Sequence, residues 1–187
     1  MSIANQSPAR PQVALAKPLG IGLGVAFIWA LGAQMLTNVF LAIRFGARGF
    51  AMSPAQPGMT VFLVVGFLVA FGLSVALGEG LRSGQKWAWW IVVVLTGALS
   101  LGGLITIPAT VSALSHHDGW VLWPQLILLT LPPFIFYRLL QAPTRTWFDH
   151  VTVAAARARH NAPVWFATII GSAAVGGFLT AIFARLG

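Results

Sequence analysis

His116, His117 and Asp118 are consecutive, and imidazole nitrogens beside a carboxylate are donors that a divalent transition metal accepts. A catalytic metal needs about three protein ligands and one open position, where it activates water. These three residues are therefore the candidate metal ligands. Adjacent side chains in a loop diverge, however, and a solvated connection is the preferred reading of the triplet. Gln34 and Asn38 lie one helical turn apart, and Gln125 follows Pro124. Amides in an apolar setting cost free energy unless paired, so these three residues are expected to make interhelical contacts, with substrate or ion coordination as the alternative. Pro132 and Pro133 interrupt a helical hydrogen-bond ladder and mark a candidate kink, either structural or lining a transport path. Glu79, close to Arg82 and Lys86, reads as a surface ion pair.

Other chemistries are missing from the inventory. The chain has no Cys, which removes disulfides, zinc-thiolate sites and iron-sulfur clusters. No H-E-x-x-H, G-x-S-x-G or P-loop motif occurs. No cofactor is expected, because no His falls in an apolar stretch to ligate haem or chlorophyll.

The elements that must position these residues follow from composition. Of 187 residues, 58% are hydrophobic and 7% charged, with a mean hydropathy of +0.85, against about 25% charged in an ordinary soluble domain. A soluble fold of this length buries only about 70% of its unfolded surface and would leave large apolar patches in water. Five apolar stretches, 19–43, 59–78, 87–107, 120–137 and 164–184, contain no Asp, Glu, Lys, Arg or His. At about 1.5 Å per residue each crosses a hydrocarbon core of about 30 Å, and backbone groups in lipid must be satisfied within a helix. The expected fold is an all-α polytopic transmembrane bundle of about five spans, residues 19–187, behind a disordered tail, residues 1–18. That tail holds the sequon Asn5-Gln6-Ser7, read as a chance match. A rival reading makes the first span a signal peptide cleaved after Ala33, leaving four spans; the apolar run continues to Ile43, which suits an uncleaved span.

Charge sets the expected orientation. With the N-terminus inside, the inner segments hold Arg10, Lys17, Arg82, Lys86, Arg138, Arg145, Arg157 and Arg159, and the outer ones Arg44, Arg48 and Arg185, a bias of 8 to 3. The positive-inside rule then places the N-terminus inside and the C-terminus outside. Trp87, Trp89, Trp90, Trp120, Trp123 and Trp165 fall at span boundaries, as an interfacial aromatic belt requires. The net charge of +8 is spread between apolar stretches and reads as topology and headgroup contact, not as a nucleic-acid stripe.

Between the last two stretches, Trp147, Phe148, Val151, Ala154, Ala155 and Ala158 share one helical face, which predicts an interfacial amphipathic helix over 144–160. Small residues recur at packing distance in the pairs Gly20/Gly24, Ala26/Ala30, Gly66/Ala70, Gly72/Ala76, Ala98/Gly102 and Ala173/Gly177. Such pairs let helices approach closely, within the chain or between subunits.

The run from Glu79 to Trp90, a basic turn followed by Trp87-Ala88-Trp89-Trp90, resembles a pattern of uncharacterised small bacterial multi-pass membrane proteins. The resemblance covers about 12 residues and implies a bacterial origin but no activity; the expected location is the bacterial cytoplasmic (inner) membrane. The leading functional expectation is a non-catalytic accessory or scaffold subunit whose partners are the bilayer and other membrane subunits or copies of itself. A small transporter or channel and a membrane enzyme or metal-binding protein are the alternatives.

Overall fold

In a computed structural model of the chain, residues 18–45, 57–115, 122–159, and 170, 171 and 174 are described. The tail, the His116, His117 and Asp118 loop, and most of the expected span 164–184 lie outside the described residues. Among the described residues there are seven helices and no strand: α1 (Leu19–Phe45), α2 (Pro57–Arg82), α3 (Lys86–Ile105), α4 (Ile107–Ser115), α5 (Leu122–Leu140), α6 (Ala142–His150) and α7 (Val153–Arg159).

Three of these, Gly20–Arg44 in α1, Gly58–Arg82 in α2 and Lys86–Ile105 in α3, are each long and apolar enough to cross a membrane. A fourth crossing is counted if α5 and α6, bent 60° to each other, form one broken span. The protein is therefore an all-helical membrane protein with three to four spanning helices among the described residues.

Neighbouring helices run antiparallel, and glycines set their register. A Cβ at Gly24 would lie 2.9 Å from Leu81, and one at Gly32 would lie 2.9 Å from Ser74. Between these levels a Cβ at Gly78 would collide with the Trp29 indole. Removing Cβ atoms lets α1 and α2 close on each other, and van der Waals packing is the main attraction between helices in lipid. On its other sides the core is apolar: Ile21, Val25 and Ile28 of α1, Val92 and Val93 of α3, and Ile135 and Leu139 of α5 are buried together. Pro132 is also fully buried.

This topology gathers the start of α1, the end of α2, the start of α3 and the end of α5 at one end. Arg82, Lys86, Arg138, Arg145, Arg157 and Arg159 belong to that end, and Arg44 to the opposite one.

α5 runs on as helix through Pro132 and Pro133, the candidate kink residues, and a sharp bend of 60° follows at Gln141. Two features differ from the sequence expectation. The expected helix over 144–160 is two short helices, interrupted at Val151 and Thr152. Its first half packs into the bundle, with Trp147 and Phe148 buried, while Ala154 and Ala158 are exposed and Ala156 is buried in their place. Finally, the third apolar stretch breaks at Thr106, two residues before Pro108. Proline has no N–H for the carbonyl one turn earlier, so the ladder fails there.

Candidate functional site

The basic end is built around two chain reversals. At the end of α2, Gln85 N–H donates to Gly80 O (2.9 Å) and Gly84 N–H to Leu81 O (3.2 Å). That is a Schellman ending, and Gly84 supplies its left-handed residue at φ +76°. A Cβ on Gly84 would also lie 2.6 Å from Val151 Cγ1, so the α2–α3 turn is seated on the gap between α6 and α7. At the second reversal, the bend after α5 frees carbonyls that side chains then satisfy. Trp89 Nε1–H donates to Leu139 O (3.0 Å) and the Thr144 hydroxyl to Arg138 O (2.9 Å). Trp89 and Thr144 are both buried.

The Trp cluster thus divides. Trp87 and Trp90 face outward, as a belt requires, at 49% and 57% exposure, but Trp89 at 7% points into the bundle. Helical period was the available signal: Ala88, Trp89, Val92, Val93 and Thr96 form the buried face of α3.

Five charged groups at this end, Glu79, Arg82, Arg157, Lys86 and Asp149, form two ion-pair clusters. Glu79 accepts from Arg82 Nε at Oε2 (2.7 Å) and from Arg82 Nη2 at Oε1 (3.2 Å), and Arg157 Nη2 lies 3.3 Å from the same Oε1. Lys86, across the α2–α3 turn from Glu79, instead bridges to Asp149 of α6 at 2.5 Å. The hydrogen bond from Lys86 holds the Asp149 carboxyl below its ordinary value; desolvation opposes this, and the charges of Lys86 and His150 reinforce the lowering.

Between α3 and α6 lies an open groove of about 300 Å³ lined by Lys86, Trp89, Trp90, Arg145, Phe148 and Asp149. Its floor is rigid, because Trp89 packs on Phe148 with ring centroids 5.9 Å apart and Phe148 meets Trp147 edge-on at 5.0 Å. Its rim carries Lys86 and Arg145 opposite one carboxylate.

At the far end, among the described residues, one amide joins α5 to α3. Gln125 Nε2–H donates to Gly103 O at 2.7 Å, and its Oε1 accepts from the Thr106 hydroxyl at 3.0 Å. α5 therefore caps the carbonyl end of α3 where the helix breaks. Gln34 and Asn38 are half-buried along α1, and among the described residues neither makes a hydrogen bond, so they are not brought together with Gln125. The triplet His116, His117 and Asp118 lies outside the described residues.

Sequence reasoning missed the groove and the capping roles of Trp89 and Thr144. Both depend on pairing distant helices, Trp89 with Leu139 and Lys86 with Asp149, which no local pattern encodes. No family model, curated protein or solved structure matches this chain.

Proposed function

We propose that this protein is a non-catalytic accessory or scaffold subunit that works by packing a helix of another membrane chain along α2. The observation that carries this reading is the outward face of α2. The apolar window of α2 is only 6% buried, against 33% for those of α1 and α3. Phe62, Val65, Val69 and Leu73 stand exposed on it, and among the described residues nothing lies within 4 Å of a Cβ built at Gly66 or Gly72. A helix facing lipid gains nothing from such notches, whereas a partner helix gains close approach. Several polar side chains, in contrast, are occupied within the chain: Gln125 and Trp89 cap helix ends, and Glu79 and Asp149 neutralise cations.

A photoreactive residue in place of Val69 tests the reading in native membranes. The expected product is a discrete protein adduct, to a second copy or to another subunit, whose yield falls severalfold in a Gly66→Leu, Gly72→Leu variant. Adducts to lipid alone would overturn it. Within the same reading the chain has five spans in a bacterial inner membrane, with the basic end inside and the C-terminus outside. Reporter fusions at the two termini check this, and both termini on one side would refute it.

A further inference from the structure

We propose that the groove between α3 and α6 binds the phosphate of an anionic phospholipid. Arg145 stands exposed on its rim, and among the described residues it makes no ion pair. Its planar fork matches phosphate oxygens in pairs. Lys86 faces it as the first residue of α3, whose N-cap Gln85 makes no side-chain capping bond, so the positive end of the helix dipole adds to the field. Six basic residues against Glu79 and Asp149 leave this end of the bundle cationic, which draws an anionic surface towards it.

The lining selects between sources of phosphate. A soluble phosphate needs donors alone, but this groove has an aromatic floor of Trp89 and Phe148 and a half-exposed Trp90 at its edge. Indole rings at headgroup level lie well against a glycerol backbone and the first acyl carbons. Among the described residues that line the groove, Asp149 is the carboxylate that opposes an anion. It is bound to Lys86, so it holds back that cation and weakens the site without closing it.

The test is a native mass-spectrometric titration of the full chain in neutral detergent with phosphatidylglycerol and, separately, phosphatidylcholine. Phosphatidylglycerol should bind preferentially, and Arg145→Gln should lower its affinity about fivefold, the scale of one surface cation. Asp149→Asn, which frees Lys86, should raise the affinity by a similar factor; this gain cannot come from misfolding, and both side chains are exposed. Equal binding of the two lipids, or an unchanged preference in Arg145→Gln, would overturn the site. Inorganic phosphate serves as competitor, with chloride at equal ionic strength as control. Displacement of the lipid by phosphate beyond the chloride effect would assign the groove to soluble phosphates and defeat the lipid source; retention of the lipid supports it.

Discussion

The two ends of the bundle solve the same problem with different means. Each contains an interrupted helix whose freed carbonyls need donors. At the far end Gln125 reaches across from α5 to the Gly103 carbonyl. At the basic end Trp89 and Thr144 close α5 from two directions, a Schellman turn closes α2, and two ion-pair groups tie the helices together. The donors to the freed carbonyls are neutral and buried at both ends, Gln125 at 9%, Trp89 at 7% and Thr144 at 1% exposure. What differs is the set of partly exposed charged side chains that the basic end adds around them. The basic end is accordingly the more heavily fixed of the two.

That contrast can be broken in steps. The largest loss is expected from Gly84→Val, which forces a β-branched residue to positive φ and drives its Cβ into Val151. Left-handed strain of about 1–2 kcal/mol and overpacking of about 1–3 kcal/mol together should cost about 3 kcal/mol in detergent unfolding followed by circular dichroism. Trp89→Phe keeps a ring against Phe148 and removes the donor to Leu139 O, leaving a buried carbonyl unsatisfied. Its expected cost is about 1–2 kcal/mol in the same assay. Gln125→Leu should cost about 1 kcal/mol, the range of polar contacts between membrane helices. Equal losses for Trp89→Phe and Gln125→Leu would erase the contrast between the two ends.

The smallest effect belongs to the Lys86–Asp149 pair. A carboxyl whose folded pKa is lowered contributes stability at pH above its unfolded value, near 3.9, and that contribution is lost as pH falls through the lowered folded value. Carbon NMR of Asp149 should therefore titrate below the ordinary midpoint, and Lys86→Gln should move it upward. An unmoved midpoint would remove Lys86 as the cause.

Much of the membrane architecture could be read from the chain, because the spans are encoded by local hydropathy. The stretches 19–43, 59–78 and 87–107 correspond to α1, α2 and α3 within a few residues. Charge counting along the chain also grouped Arg82, Lys86, Arg138, Arg145 and Arg157, which the fold brings to one end. The reading failed where two local preferences competed. Pro132 and Pro133 drew attention to the middle of α5, whereas the sharp bend at Gln141 was not foreseen; Pro143 follows it, and Trp89 and Thr144 supply the replacement donors. The apolar face drawn through Trp147 to Ala158 assumed one unbroken helix, and the gap at Val151 and Thr152 shifts the periodicity so that Ala156 is the buried residue. Of the groove, only the Trp and Lys half was visible locally; Arg145, Phe148 and Asp149 come from a segment far along the chain.

The seat of Gly84 on Val151 has a consequence for biosynthesis. The ribosome delivers the α2–α3 hairpin long before residue 151 exists, so the turn first enters the membrane with its notch empty and the Trp89 indole without the Leu139 carbonyl. A chain halted before α6 would present that unfilled notch and an unmated donor at the membrane surface. Completion of the later helices closes both.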